Sequence, residues 1–158
     1  MWLAHVTVAI VVEQNNRFLM VEEYAKERGS QVFNQPAGHI EAGESLIQAC
    51  VRETLEETAW HVQITDLLGI YTYTPPNTFD RTYYRFCFIG QVIEQSQNAL
   101  DPDITAVHWL TADEIEQSGQ ARSPLVMQCI RDYQSGQKLP LSIINEQFLI
   151  PQPLLQQV

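Results

Sequence analysis

Apolar residues alternate with polar ones along much of the chain and predict a mixture of strands and helices. The β-branched run 5–12 and the segment 17–22 predict a hairpin, with the polar residues 13–16 as its turn. Further strands are predicted at residues 62–68, 69–73, 82–92 and 106–110. Thr111 is expected to cap a short helix, and another helix is expected from about Pro124 to Gln134. The mixture favours a mixed sheet packed between helices.

The most informative predicted helix follows the glycine-containing segment 38–43. Ser45 with Gln48 three residues later fits a capping box, so this helix is expected to begin near Leu46. A stripe along it is expected to pack against the sheet: Ile47, Val51, Thr54, Leu55 and Thr58.

Glutamates occupy the other face of this helix. A helix turns about 100° per residue, so Glu53, Glu56 and Glu57 lie together. Two like charges about 4 Å apart repel by about 4 kcal/mol at an effective dielectric of about 20. A converging trio therefore needs protonation, a cationic partner or a metal, and carboxylate oxygens suit Mg²⁺ or Mn²⁺. The alternative is an exposed acidic face, which the packing stripe disfavours because it fixes the orientation of the glutamates.

Residues 38–60 resemble the Nudix box, in which a glycine, a glutamate, an Arg-Glu pair and a Glu-Glu pair stand at fixed offsets. The matching positions are Gly38, Glu44, Arg52, Glu53, Glu56 and Glu57. Thr54 stands where an aliphatic residue is usual, and Ala59 stands where the family has glycine. Alanine adopts the left-handed conformation that ends many helices less readily than glycine does. Flanking segments at 33–38, 122–126 and 133–136 are similar to the NudJ-type phosphatase branch of the family.

The resemblance implies a fold and a set of site residues. The fold is an α/β/α sandwich with a mixed sheet, and residues 1–158 are expected to form one domain. Glu53 and Glu57 are the first choices as metal ligands and as catalytic residues, with Glu56 and the Gly38 carbonyl completing the metal set. Arg52 is expected to orient the carboxylates by pairing with Glu56 or with Glu44.

The general base and the substrate contacts are open on sequence grounds. Glu53 or Glu57 is the simplest base, whereas Asp101 and Asp103 are alternatives that a plain Asp-Pro-Asp turn also explains. Among the aromatic residues, Phe33 is preferred as a surface on which a base stacks. The other expected substrate contacts are Asn34 and Gln35 through their amides and Arg28 and Arg85 through their charges, with Lys26 and Arg81 as further cations.

The formal charge of the chain is −10, which opposes nonspecific binding to nucleic acid or to anionic lipid. An acidic enzyme that acts on polyphosphates depends on metal ions and a few local cations. The cysteines, Cys50, Cys87 and Cys129, are expected to be reduced core residues. No apolar run approaches the roughly 20 residues of a membrane span, so a cytoplasmic location is expected. Residues 145–158 are expected to form a tail packed by Phe148, Leu149 and Ile150.

The expected activity is Mg²⁺-dependent hydrolysis of a phosphoanhydride, with Mn²⁺ as a possible substitute. The resemblance implies nucleoside tri- and diphosphates, or related diphosphates such as hydroxymethylpyrimidine diphosphate, as substrates. Two alternatives stay open: an ADP-ribose or nucleotide-sugar pyrophosphatase, and a nucleotide-sensing module without turnover. Whether the protein is a monomer or a homodimer is also open.

Overall fold

The computed structural model describes residues 1–151, and residues 152–158 lie outside the described part. Its strands are β1 (Leu3–Gln14), β2 (Arg17–Ala25), β3 (Ser30–Asn34), β4 (Ala37–His39), β5 (Trp60–Tyr73), β6 (Arg81–Gln95) and β7 (Ile104–Leu110). Its helices are α1 (Leu46–Thr58), α2 (Ala112–Ser118) and α3 (Pro124–Gln134), followed by a 3-10 turn at Leu141–Ile143. No helix within residues 1–151 has the length and apolar character needed to cross a membrane.

The strands form a mixed sheet in the order β3-β2-β1-β6-β5, with β4 paired to β1 and β7 paired to β2. β1 and β6 run parallel, and the other pairs are antiparallel. The predicted hairpin is confirmed, and its turn consists of Asn15 and Asn16, both at positive φ. Asparagine tolerates this conformation better than most residues. β3 and β4 were not predicted, since they are short and interrupted by Pro36.

The core lies on both faces of the sheet. On one face, Val126, Cys129 and Ile130 of α3 pack with Ala9 and Cys87 in what we call the α3-side core. On the other face, Ala49 and Cys50 of α1 pack with residues including Val8, Ile10 and Phe88 in the α1-side core. The predicted α/β/α sandwich is therefore confirmed. The three cysteines are free and buried, as expected.

The buried face of α1 differs from the predicted stripe. Its buried residues are Ala49, Cys50, Thr54, Glu57 and Thr58. Ile47 and Val51 are partly buried and pack against the α1-side core, as predicted, whereas Leu55 is partly buried and lies outside that set. Small side chains let the helix approach the sheet closely, and the threonine hydroxyls donate to carbonyls one turn earlier, at 2.7 Å for Thr54 and 2.6 Å for Thr58. As a result Glu57 lies on the buried side of the helix.

Both ends of α1 are well defined. Ser45 and Gln48 form the predicted capping box, with hydrogen bonds of 3.1 and 2.9 Å. The Glu146 carboxylate also accepts from the Leu46 N–H, at 3.1 Å to its nearer oxygen. At the other end Ala59 adopts φ 63°, and its N–H donates to the Leu55 carbonyl. The left-handed exit is kept despite the alanine, at a cost of about 1 kcal/mol.

The predicted tail packing is wrong for the residues that the structure describes. Phe148, Leu149 and Ile150 are all exposed. The segment contacts α1 through Glu146 instead, a polar contact that the apolar pattern did not indicate.

Candidate active site

Arg52 is the centre of a charged network on α1. Its Nε and Nη2 donate to the two carboxylate oxygens of Glu44 at 2.7 and 3.0 Å. Its Nη1 donates to Glu53 at 2.9 Å and to Glu56 at 3.2 Å. Its Nη2 also donates to the His39 carbonyl at 3.1 Å. Both predicted partners of Arg52, Glu44 and Glu56, are therefore present at once.

This network fixes charge as well as position. The hydrogen bonds from Arg52 hold the pKa of Glu44 below its usual range, so Glu44 stays ionised. Glu44 foremost, and then Glu53, raise the pKa of Arg52. Since Arg52 also donates to the His39 carbonyl, it joins α1 to β4. Arg52 thus holds the helix carboxylates against β4, the strand that contains Gly38.

Gly38 lies directly against the carboxylate of Glu53. A Cβ built on Gly38 would overlap the Glu53 carboxylate group, so only glycine allows the strand and the side chain to come this close. Burial raises the pKa of Glu53 more than its hydrogen bond to Arg52 lowers it, and the negative charges of Glu56 and Asp101 act in the same direction as burial. The Gly38–Glu53 contact accounts physically for the glycine of the box.

Glu57 is the most buried carboxylate of the group, with 8% of the residue exposed. Its Oε1 accepts from the backbone N–H of Ala37 at 2.8 Å. Burial foremost, together with the negative charges of Glu23, Glu53 and Asp101, raises the pKa of Glu57 to about 9, because this single N–H does not offset the desolvation. No cationic side chain within residues 1–151 forms an ion pair with Glu57.

The arrangement suits a hard divalent cation in its donor chemistry. Carboxylate oxygens are the ligands that Mg²⁺ and Mn²⁺ prefer, and a cation would offset the desolvation, and the smaller repulsion between acids, that raise the pKa of Glu53 and Glu57. Within residues 1–151, however, no three His, Cys, Asp or Glu side chains lie close enough together to hold a metal ion. Glu53 is turned to Arg52, and Glu56 to the same guanidinium. The carboxylates are suitable ligands for such a metal ion, and their side chains must rotate before three of them can bind one ion.

Asp101 lies beside the glutamates, while Asp103 completes a turn. The Asp101 N–H donates to the Glu56 carbonyl at 2.8 Å, which ties the loop before β7 to α1. The Asp101 side chain accepts from the N–H of Asp103 at 2.9 Å, and the N–H of Ile104 returns to the Asp101 carbonyl. The Asp-Pro-Asp turn is therefore present, and it brings one of its two carboxylates to the site.

Two residues of this region escaped the sequence analysis as site residues. Glu23 of β2 lies close enough to Glu57 to influence its pKa. Arg122 donates to Glu23 at 3.0 Å and to Glu27 at 2.9 Å. The backbone of Arg122 donates to the Phe33 carbonyl at 2.8 Å, so its place beside β3 is fixed. No local spacing signals this contact, since Glu23 and Arg122 are far apart in sequence and meet only through the β3 pairing.

The predicted substrate contacts fall into separate environments. Phe33 packs at the edge of the α3-side core, edge-on to His108 with ring centroids 5.5 Å apart. Asn34 is buried and donates weakly to Glu23 at 3.5 Å, and its Oδ1 has no hydrogen-bond partner. Gln35 is buried and accepts from Arg85 at 3.1 Å. Arg28 donates to the Ala121 carbonyl at 2.7 Å, on the exposed surface.

Comparison with known proteins agrees with this geometry. The model of the NUDIX domain matches residues 3–129. The chain belongs to the Nudix hydrolase family. It is 42% identical over 150 residues to the phosphatase NudJ of Escherichia coli K12, an alignment that covers 92% of this chain and 94% of that protein. This Nudix hydrolase is thus of the NudJ phosphatase type.

Solved structures show the same fold. A NUDIX hydrolase from Nitrosomonas europaea superimposes with a TM-score of 0.85 and is 45% identical, covering 90% of this chain and 97% of that one. The MutT NUDIX hydrolase from Burkholderia pseudomallei has a TM-score of 0.69 at 17% identity, covering 82% of this chain and 98% of that one. The second likeness concerns the fold alone. Nudix hydrolases in general use divalent metal ions, which agrees with the donor chemistry of the site.

Proposed function

We propose that this Nudix hydrolase cleaves a phosphoanhydride bond in small nucleoside tri- or diphosphates, or in related diphosphates such as hydroxymethylpyrimidine diphosphate, with Mg²⁺ as its cofactor. The observation that carries the proposal is the pair Glu53 and Glu57. Glu57 is buried and Glu53 is partly buried, both have raised pKa values, and both lie against the backbone of β4. Glu53 shares Arg52 with two other glutamates and Glu57 accepts only one N–H, so a cation at this place would stabilise both carboxylates.

The residues divide into ligands and positioning groups. We assign Glu53, Glu57, Glu56 and the Gly38 carbonyl to hold the metal, for which Mn²⁺ is a possible substitute. The bound ion would supply neutralisation of charge on the phosphate oxygens. Arg52 and Glu44 hold the helix carboxylates at β4 through the contacts described above. We propose that residues 1–158 act as one domain in this role.

The proton of the attacking water needs an acceptor close to the same carboxylates. Glu53 and Glu57 are the first choices, and Asp101 is now a better alternative than Asp103. The support for Asp101 is its hydrogen bond to the Glu56 backbone and its effect on the pKa of both buried glutamates. These observations support the position of Asp101 in the site, and position is the first requirement of a general base.

Arg122 is the arginine that we propose for the substrate phosphates on the β2 side of the site. Its carboxylate partner Glu23 influences Glu57, so the guanidinium lies near the carboxylate group without belonging to the Arg52 network. Guanidinium groups bind phosphate in the same two-pronged way as they bind carboxylate. In the free protein, hydrogen bonds to Glu23 and Glu27 fix the position of the Arg122 guanidinium.

The experiment is a release assay for orthophosphate and pyrophosphate. The substrates are nucleoside triphosphates, nucleoside diphosphates, ADP-ribose and hydroxymethylpyrimidine diphosphate, each with Mg²⁺ or with EDTA. Glu57→Gln is compared with the wild type and with Glu116→Gln, a control that removes an exposed glutamate paired with Arg131. We expect Mg²⁺-dependent orthophosphate release that only Glu57→Gln abolishes.

The other outcomes separate the alternatives. If ADP-ribose yields two monophosphates and the other substrates yield no orthophosphate, the protein is a pyrophosphatase and the proposal is wrong. Metal-dependent nucleotide binding without any product would replace it by a sensing module. Equal activity of wild type and Glu57→Gln would remove Glu57 from the site.

A further inference from the structure

The strongest unused feature of the structure is the side chain of Arg85 on β6. Only 8% of this residue is exposed. Its Nη1 donates to the Gln35 amide oxygen at 3.1 Å, and its Nε is buried without a hydrogen-bond partner. No carboxylate within residues 1–151 forms an ion pair with it, although every other arginine except Arg28 has one. A guanidinium stays charged in proteins, so burial with a neutral partner is costly.

The surroundings of Arg85 fix the amide that it contacts. Gln35 is almost fully buried, and its Nε2 donates to the Ile10 carbonyl at 3.2 Å and to the Cys87 sulfur at 3.4 Å. Gln35 is therefore held by the sheet and presents its oxygen to Arg85. Two residues later the N–H of Ala37 holds Glu57. The same short segment thus connects Arg85 with the carboxylate site.

Helix α3 covers the sheet face on one side of Arg85 but not on the other. Cys87, two positions further along β6, is covered by α3 in the α3-side core. Tyr71, beside Arg85 on β5, is also covered, because its hydroxyl donates to Asp132 of α3 at 2.7 Å. In the other direction Tyr83 shares this face, since residues two apart on a strand point the same way. Arg85 marks the boundary between the covered and the uncovered part of the face.

Three rings occupy the uncovered part. Tyr83 is paired with His5 of β1, and their ring centroids are 5.1 Å apart. His39 of β4 lies 5.4 Å from the His5 ring and 6.2 Å from the Tyr83 ring. A ring nitrogen of His5 is 3.2 Å from one of His39. We call His5, His39, Tyr83 and Arg85 the ring-and-arginine face.

This face and the carboxylates meet at β4 from opposite sides of the sheet. His39 lies opposite Thr7 on the α3 side, whereas the preceding Gly38 lies opposite Val8 of the α1-side core and contacts Glu53. The His39 carbonyl accepts from Arg52. Arg85 lies opposite Thr7, which in turn lies opposite His39, so two strand spacings separate Arg85 from β4. Strands lie about 4.8 Å apart, which places the two backbones roughly 10 Å apart. A diphosphate bound at the carboxylates can extend its organic group over this distance.

Resting on the proposed function, we propose that the ring-and-arginine face binds the heteroaromatic ring of the substrate, with the accessible edge of the Arg85 guanidinium donating to an oxygen or nitrogen acceptor of that ring. Flat rings pack well against histidine and tyrosine side chains. A charge-assisted hydrogen bond to such an acceptor would add a ligand partner to a guanidinium whose side-chain contact within residues 1–151 is the neutral Gln35 amide. Arg85 then selects among substrates by their organic group, and the phosphates are left to the metal and to Arg122.

The test uses monophosphates, which have no phosphoanhydride bond to cleave. Dissociation constants are measured by NMR titration in EDTA for uridine monophosphate, adenosine monophosphate, hydroxymethylpyrimidine monophosphate and ribose 5-phosphate. The last compound has the phosphate but lacks the ring. We expect at least one ring-bearing compound to bind the wild type about tenfold more tightly than ribose 5-phosphate, and Arg85→Met to remove that preference.

The controls separate folding and phosphate binding from ring recognition. Arg131→Met removes an exposed arginine on α3 and should leave the preference unchanged. Tyr83→Leu changes the face without touching the buried guanidinium and should also reduce the preference. Arg85→Met also removes the donor to the buried Gln35 oxygen, so the thermal unfolding midpoint of each variant is measured and binding is compared at a temperature where both variants are folded.

Three results would overturn the inference. The first is that the wild type binds ring-bearing and ring-free compounds equally well. The second is that folded Arg85→Met keeps the preference for ring-bearing compounds. The third is that Arg85→Met binds all four compounds more weakly by the same factor. The last result would make Arg85 a phosphate-binding residue. Because these compounds are not hydrolysed, the outcome is independent of whether the release assay finds turnover.

Discussion

The two sides of β4 differ in how far their polar groups are satisfied. On the α1 surface, Arg52 donates to three glutamates and a carbonyl, and each of these contacts is 3.2 Å or shorter. Deeper in the protein, Glu57 accepts one N–H and has no cation. Among residues 1–151, only Asn34 Oδ1 and Arg85 Nε are buried side-chain atoms without a hydrogen-bond partner, and Arg85 lies on the α3 side of the sheet.

The difference indicates which groups hold the site together and which meet the ligand. A satisfied network has nothing to gain from a ligand, but it keeps neighbouring carboxylates in place. An unsatisfied buried group gains free energy when a ligand supplies its missing partner. We therefore propose that Arg52 is a positioning residue, that Glu57 binds the cation, and that Arg85 binds an acceptor on the substrate ring.

The largest effect should come from Glu57→Gln. Glutamine keeps the size of the side chain and its acceptor for the Ala37 N–H but removes the charge. We expect kcat to fall by about 10²–10⁴-fold, the range for losing a group that acts on the reacting atoms. Steady-state kinetics with Mg²⁺ measure this loss, with Glu116→Gln as the control. A loss below about tenfold would place Glu57 outside the reaction.

The same substitution should change how stability depends on pH when no metal is present. The folded-state pKa of Glu57 is raised to about 9 from an ordinary value of 4.5. The folded protein thus holds this proton more tightly than the unfolded chain, so its stabilising effect is complete below about pH 4.5 and is lost as pH rises towards 9.

Urea unfolding in EDTA at pH 5, 7 and 9 measures that dependence. We expect Glu57→Gln to be more stable than the wild type by at least about 1 kcal/mol at pH 9, with a smaller difference at pH 5. The opposite trend would show that Glu57 is stabilised as a carboxylate by the protein alone.

Arg52→Lys should have the next largest effect. Lysine keeps the charge but cannot form the two-pronged contact with Glu44 while also reaching Glu53 and Glu56. We expect kcat/KM to fall by about 10–100-fold, as for other groups that orient metal ligands. Arg17→Lys, at an exposed pair with Glu114, is the control and should change little. If both variants behave alike, the network has no role beyond a surface salt bridge.

Arg122→Gln should affect substrate binding more than turnover. If Arg122 contacts the substrate phosphates, as proposed, its removal should raise KM about tenfold and change kcat by less than about threefold. Arg131→Gln is the matched control, since it removes an exposed arginine from a single ion pair on α3. An unchanged KM together with lower thermal stability would show that Arg122 has only a structural role, in which it connects β2 with the loop before α3.

The smallest effect is expected at the end of α1. Ala59→Gly removes the cost of a left-handed alanine, and we expect a gain of up to about 1 kcal/mol in the free energy of unfolding. Kinetic constants should stay the same, because Ala59 contacts neither the network nor the buried carboxylates. Denaturant unfolding at constant pH is the measurement, and a loss of stability would contradict the account of this helix exit.

The sequence predicted the α1 network well because its partners lie within a few helical turns. The spacing of Arg52 from Glu44 and Glu56 predicted both contacts, and Ser45 with Gln48 predicted the start of the helix. The buried stripe of α1 was predicted less well. The predicted residues Ile47 and Val51 do pack against the α1-side core, but the fully buried positions also include Ala49 and Cys50, which the pattern did not indicate. The close approach of helix and sheet favours such small residues, and threonines that satisfy their own hydroxyls.

The contacts of Arg85, Glu23 and Arg122 depend on the register of the strands, which the sequence did not reveal. Arg85 was predicted as a substrate contact, but not its burial beneath Gln35 or its position beside Tyr83 and His5. Glu23 and Arg122 meet only because β3 lies between β2 and the loop that carries Arg122. Long-range pairing of this kind leaves no periodic signal in one chain.

The most direct test of the central claim is Mg²⁺ binding to the wild type and to Glu57→Gln, measured by isothermal titration calorimetry without substrate at pH 7.5. The account predicts Mg²⁺ binding to the wild type, with release of protons from the buried carboxylates, and a loss of at least about tenfold in affinity in Glu57→Gln. Equal affinity of the two proteins for Mg²⁺ would contradict the claim that the unsatisfied carboxylates of the buried side are the cation site.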